Sequence, residues 1–205
     1  MKKLNLLITG VGGQGVVLAS DIVGEAAIAA GFDVKKTDTL GMAQRGGSVL
    51  SHVRVAPKVY SPLIKEGEVD VLLAFEKLEA ARYGNLLRPG GVAIVNNQAV
   101  PPLAVILGYA HYPSDEEVAG IIRRQTGRVY LVEAAQRARE LGNLKAVNTF
   151  MLGCLSLFAP FSVSVWKECI VRFMPKSVQE LNLTAFDLGR KEIRRPAYPE
   201  KEAVS

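Results

Sequence analysis

Two glycine-rich turns carry the chemistry that this sequence has to offer. The first is the stretch ITGVGGQG at residues 8–15, in which a short apolar run leads into Gly10, Gly12 and Gly15 at G-x-G-x-x-G spacing. Residues without a Cβ let the backbone bend sharply and approach a pyrophosphate closely, and the helix that opens next turns its free N–H groups toward the anion. Gly13 and Gln14 make this turn GGQG, with a neutral amide where dinucleotide-binding turns usually carry something small or apolar. The second turn, GMAQRGGS at residues 41–48, contains Gln44, Arg45, Gly46 and Gly47. Its paired glycines leave Arg45 and the loop amides free to face an anion. A solvated hairpin arginine is the plain alternative.

Other chemistry-bearing residues form no self-sufficient set. Asp38 lies about 20 residues beyond the first turn, where NAD- and FAD-binding folds use an acid to hold the ribose. Lys35 and Lys36 precede it and Arg45 follows, a balance that suits an additional phosphate better than a bare diol. His52 reads as a residue on the polar side of a strand and His111 as a loop residue, and no serine or cysteine occupies a nucleophile elbow. Catalytic residues are therefore not expected in this chain. Glu76 and Glu79 stand three apart at a helix start, where the helix dipole accounts for them. Asn148 enters a strongly apolar helix, either as its cap or as a contact to a ligand or subunit. Cys154 and Cys169 form no C-x-x-C pair, so they read as core residues and no metal site is expected.

The elements around these turns follow from hydrophobic patterning. Residues 4–9 read as a buried strand, 16–30 as a helix stopped by Gly31, and 33–40 as a more polar strand. Residues 49–55 alternate Val49, Ser51, Val53 and Val55 with Leu50, His52 and Arg54, which predicts a half-exposed strand, antiparallel at an edge. A strand over 69–75, a helix over 76–87, a turn at 88–91 and a strand over 92–96 make a crossover unit. Residues 101–113 read as irregular. Ser114 and Glu117 form a capping box, 128–132 is a last strand, and helices follow over 134–142, 147–158, 163–174 and 177–193. The expectation is one α/β domain with a tail at 195–205 that buries little.

The formal charge of +5 is modest, and residues such as Lys191, Arg194, Arg195 and Lys201 gather it late in the chain without forming a basic stripe. The RGG occurs once rather than in a low-complexity repeat, so nucleic acid is not an expected partner. The opening MKKLNLLITG is too short in its apolar part for a signal segment or a membrane span, which gives a cytoplasmic expectation.

With both glycine turns followed by DVLLAFE, LRPGGVAIVNN and NTFMLG in that order, the chain resembles the gamma-type subunits of 2-oxoacid:ferredoxin oxidoreductases, over about residues 4–189. Within that family the likeness is to the small subunit of the branch acting on indolepyruvate. The resemblance implies a three-layer, Rossmann-like α/β domain spanning 1–194, with a mostly parallel, mixed sheet and a helix-rich C-terminal part. It also implies oxidative decarboxylation of a 2-oxoacid with coenzyme A to give acyl-CoA, CO2 and reduced ferredoxin. Thiamine diphosphate and [4Fe-4S] clusters would reside on a large partner subunit, and ferredoxin would act through the complex. Carried over by motif, the CoA-binding candidates are Gly12, Gly13, Gln14, Gly15, Gln44, Arg45, Gly46 and Gly47. A stand-alone NAD(P) or FAD protein relying on Asp38, and an assembly subunit that binds no small molecule, are the two alternatives.

Overall fold

The computed structural model describes residues 3–41 and 46–193. Six strands form one sheet: β1 (Leu4–Val11), β2 (Asp33–Leu40), β3 (Ser48–Ala56), β4 (Val69–Ala74), β5 (Leu87–Asn96) and β6 (Val129–Val132). Their spatial order is β2-β3-β1-β4-β5-β6. β1 pairs in parallel with β4, β4 with β5 and β5 with β6, while β3 lies antiparallel between β1 and β2. The parallel part is wound by α2 (Lys77–Tyr83) between β4 and β5 and by α4 (Asp115–Arg123) between β5 and β6. The sheet is thus mixed and mostly parallel, as expected.

Both faces of the sheet are covered because its central strands point apolar side chains to both sides, not to one side alone. Leu6 and Ile8 of β1, with Val71 and Leu73 of β4, pack into one core, and Leu7, Leu72 and Ala74 pack into a second on the opposite face. The larger core receives α1 (Val16–Ala29), α5 (Ala134–Glu140), α6 (Val147–Leu155), α7 (Val163–Phe173) and α8 (Gln179–Glu192). The smaller receives α2 and α4. Each fully buried leucine contributes about 1.5–3 kcal/mol relative to exposure, so the two cores fix the three layers. In the larger core α6 and α8 touch backbone to backbone: a Cβ at Gly153 would overlap the carbonyl of Phe186, and one at Gly189 that of Phe150. The Cys154 thiol donates to Gly189 O at 3.2 Å, and both cysteines are buried and free, as core residues should be.

Three local expectations change. β3 is interior, β2 is the edge strand, and the supposed polar side of β3 is buried. Alternation misleads here because the polar side chains have partners: Ser51 Oγ donates to Asp38 at 2.5 Å, and His52 Nδ1 accepts from Ile64 N at 3.3 Å. The predicted 76–87 helix is shorter, giving way to a 3-10 turn at Gly84–Leu86, and β5 runs through the PGG segment with a register shift. Residues 101–113 contain one helical turn, α3 (Leu103–Ile106). Gln44, Arg45 and the 195–205 tail lie outside the described residues. Among the described residues no helix is long and apolar enough to cross a membrane.

Candidate functional site

The antiparallel pairing of β1 and β3 brings the two glycine turns together. Their register runs to Val11 opposite Ser48, and the ladder continues past the strand ends: Gly12 N donates to Gly47 O at 2.8 Å and Gly46 N to Gly12 O at 3.4 Å. Gly12, Gly13, Gln14, Gly15, Gly46 and Gly47 therefore meet at the C-terminal edge of the parallel strands, the edge at which open α/β sheets bind ligands.

The first turn is built from inside by Gln14. Its Oε1 accepts from Val11 N at 2.7 Å and its Nε2 donates to Phe75 O at 3.3 Å, so both ends of the amide bind backbone. A Cβ at Gly10 would lie 2.8 Å from Gln14 Oε1 and 3.0 Å from Phe75 Cβ, which explains the first glycine of the spacing. Phe75 O also accepts from Asn96 Nδ2 at 3.1 Å, and Asn96 Nδ2 reaches Gln98 Oε1 at 3.2 Å. The strand ends are thus tied by an amide chain. Asn96 Oδ1 is buried without a partner.

Gly15 ends the turn in the left-handed region, with φ +79°, and caps α1 without a side chain. The N–H groups of Val16, Val17 and Leu18 belong to the first helical turn, where no intrahelical acceptor exists. Across from them stands Asn148, which is 7% exposed and donates Nδ2 to Gly15 O at 3.0 Å. Asn148 therefore does not cap its own helix, whose cap position is Ala146; it joins α6 to the glycine turn, a within-chain role that the sequence reading did not name.

A cleft of about 440 Å³ opens at this junction, lined by Gly13, Gln14 and Gly15 on one side and by Gln98, Arg139, Lys145 and Asn148 on the others, a size within the range of small-molecule sites. Leu18, Ala135, Leu144 and Val147 supply apolar wall. Its formal charges are both positive, and its remaining polar lining is backbone and neutral amide. Arg139 and Lys145 carry no motif signal: they enter from α5 and from the 3-10 turn Leu144–Ala146, more than 120 residues after the glycines they face.

The opposite side of the turn pair is anchored by two buried acids. Glu79, read from sequence as a dipole partner, is 4% exposed and accepts from Ser48 Oγ, and it pairs with Arg82 at 3.2 Å. Ser48 Oγ also lies 3.1 Å from Tyr83 Oη. Glu76 is fully buried as the N-cap of α2, accepting from Glu79 N and Val100 N, each at 2.9 Å, and from Tyr112 Oη. Burial and then the bond to Glu76 push the Tyr112 hydroxyl far above the ordinary phenol range. Glu79 braces the second turn at Ser48 and Glu76 fixes the start of α2; together they do not form a nucleophile with a base.

Asp38 is not free to hold a ribose. It pairs with Lys36 at 3.0 Å and accepts from Ser51 Oγ, and Lys36 also binds Asp21. Burial alone would lower the Lys36 ammonium, but its bonds to Asp21 and Asp38 hold it above the ordinary lysine value. Among the described residues no group of histidines, cysteines and acids could hold a metal ion.

The model of the pyruvate ferredoxin/flavodoxin oxidoreductase family matches residues 5–192. The chain is 40% identical over 194 residues to the indolepyruvate oxidoreductase subunit IorB of Pyrococcus horikoshii, covering 93% of this chain and 96% of that one. Among solved structures, the gamma subunit of a keto/oxoacid ferredoxin oxidoreductase from Geobacter sulfurreducens superposes with TM-score 0.68 at 24% identity, covering 92% of this chain and 97% of the other. The 2-oxoglutarate:ferredoxin oxidoreductase of Magnetococcus marinus, solved with 2-oxoglutarate, coenzyme A and succinyl-CoA bound, superposes with TM-score 0.72 at 22% identity, covering 98% of this chain but 34% of the longer one. At such identities the two structures establish the shared fold.

Proposed function

The chain belongs to the pyruvate ferredoxin/flavodoxin oxidoreductase family, and from that premise we propose that it is the small subunit of a 2-oxoacid:ferredoxin oxidoreductase acting on indolepyruvate or a related aryl pyruvate. Its 2-oxoacid loses CO2, the electron pair passes to ferredoxin, and the acyl group passes to the thiol of coenzyme A. Thiamine diphosphate and iron–sulfur clusters supply the carbon and electron chemistry on a large partner subunit. This chain's own residues contribute binding and orientation of CoA.

The observation that carries the reading is the junction of two anion-suited glycine turns beside a cleft whose formal charges are both positive. CoA carries a pyrophosphate, which matches backbone N–H groups at a helix start, together with a further phosphate that calls for cations. Gly12, Gly13 and Gly15 bring the backbone close, Gln14 holds the turn in shape, and Gln44, Arg45, Gly46 and Gly47 extend the site. The engagement of Asp38 by Lys36 and Ser51 weighs against the NAD(P) or FAD alternative.

The test is Arg45→Ala in the assembled complex. KM for CoA should rise about tenfold or more, the equivalent of one lost charge-assisted contact, and should do so out of proportion to any change in CoA-independent decarboxylation. Equal loss of both activities would assign Arg45 a structural role. Titrating the protein with CoA and with NADH separates the nucleotide readings, since the NAD alternative requires tighter binding of NADH.

A further inference from the structure

We infer that Arg139 and Lys145 form a second anion station in the cleft, and that, resting on the CoA reading above, they receive the 3′-phosphate and make the site select CoA over its 3′-dephospho form. The two groups are set apart from the other cations of this region. Arg137, two residues before Arg139, pairs with Glu140 and Glu192, Lys167 pairs with Asp187, and Lys36 pairs with two aspartates. Arg139 and Lys145 have no carboxylate partner among the described residues, and no carboxylate stands among the residues lining the cleft they share.

Their backbone positions are fixed although their side chains are exposed. Arg139 sits in the last turn of α5, and the short turn after it is held by Asn143, whose side chain accepts from Lys145 N at 3.0 Å. Ala146 and Asn148 directly beyond Lys145 are buried, so the ammonium stem leaves from a packed base.

The charge balance identifies which anion they suit. The two phosphates of a pyrophosphate diester carry one charge each and are met by N–H groups, as the start of α1 offers. A phosphomonoester carries about −1.5 to −2 at neutral pH and presents three strong acceptor oxygens. A planar guanidinium and a mobile ammonium together match that charge and donor demand. Leu18, Ala135, Leu144 and Val147 supply apolar wall in the same cleft, which suits the adenine carried by the ribose that joins the two kinds of phosphate in CoA.

The experiment measures KM for CoA and for 3′-dephospho-CoA in the assembled enzyme, for the wild type, for Arg139→Gln/Lys145→Gln and for Arg45→Ala. The wild type should prefer CoA by on the order of tenfold or more, and the double variant should raise KM for CoA alone until the two substrates differ by less than about twofold. Lys145→Arg should retain the preference. Absence of a wild-type preference, a preference that survives in the double variant, or an equal rise for both substrates would each overturn the assignment. If Arg45→Ala raises KM for CoA while the double variant changes nothing, the CoA reading stands and this inference alone falls. If neither variant moves either KM, both fall together.

Discussion

Gly15→Ala tests whether the turn and α6 form one unit. Gly15 has φ +79°, so an alanine there would take on backbone strain of about 1–3 kcal/mol. Its Cβ would also overlap Asn148 Nδ2 and lie 2.9 Å from Asn148 Cγ, forcing the amide off Gly15 O. Stranding a buried polar group costs about 1–3 kcal/mol more, for a total of about 2–6 kcal/mol. Gly13→Ala is the control: φ is +102°, but a Cβ there meets nothing within 4 Å, so strain acts alone. Urea unfolding of the full chain gives both costs, provided that the slope is unchanged. In an Asn148→Ala background the overlap is gone, and Gly15→Ala should cost no more than the control. Equal costs for the two glycines in the wild-type background, or a coupling energy to Asn148 below about 0.5 kcal/mol, would refute the idea that this amide closes the turn.

Three further outcomes are expected. Gly189→Ala drives a methyl group into the backbone carbonyl of Phe150 and should destabilise by about 1–3 kcal/mol or more, read as a fall in Tm of about 2–4 °C per kcal/mol; an unchanged Tm would contradict the backbone contact of α6 and α8. Glu76→Gln must set an NH2 donor either against Val100 N and Tyr112 Oη or, with the amide turned over, against Glu79 N, and should cost about 1–3 kcal/mol by urea midpoint, whereas an exposed glutamate would tolerate it. Burial holds the His52 imidazole below its ordinary value of about 6.5, so the unfolded chain takes up the proton first. Its contribution to stability is complete above that pH and is lost as pH falls through the depressed folded value; in His52→Gln the part of the urea-midpoint slope below pH about 6.5 that stems from this group should vanish.

The layers of the fold are legible because they follow from local patterns: apolar runs at residues 4–9 and 69–75, a glycine turn between strand and helix, and the β, helix, PGG, β unit. What the pattern misassigns is decided by distant partners. His52 reads as a residue on the polar side of a strand until Ile64 N reaches it, and Glu76 and Glu79 read as dipole partners until Tyr112, Val100 and Ser48 close over them. The site divides in the same way. Its glycines announce themselves by spacing, but Arg139 and Lys145 share the cleft with Gly13 only because α5 and α6 pack on the same face as α1. Asn148 carried a signal, a polar residue entering an apolar helix, though nothing local says that its partner is 133 positions away.

The GGQG turn also shows why an amide, rather than a charge or a smaller side chain, suits position 14. A glycine-rich turn is conformationally loose, so closing it for a ligand requires that something else fix it. Gln14 does this from within, accepting from Val11 N and donating to Phe75 O; Asn148 does it from α6; and Gly47 does it from the neighbouring strand end. Glutamate at position 14 would keep the first bond, lose the donor for the second, and add negative charge beside the start of α1, where the proposed function puts the pyrophosphate. A lysine would lack the acceptor for Val11 N. Fixing the turn with neutral groups leaves the formal charge in the cleft to Arg139 and Lys145, so shape and charge are carried by separate residues and can be varied one at a time.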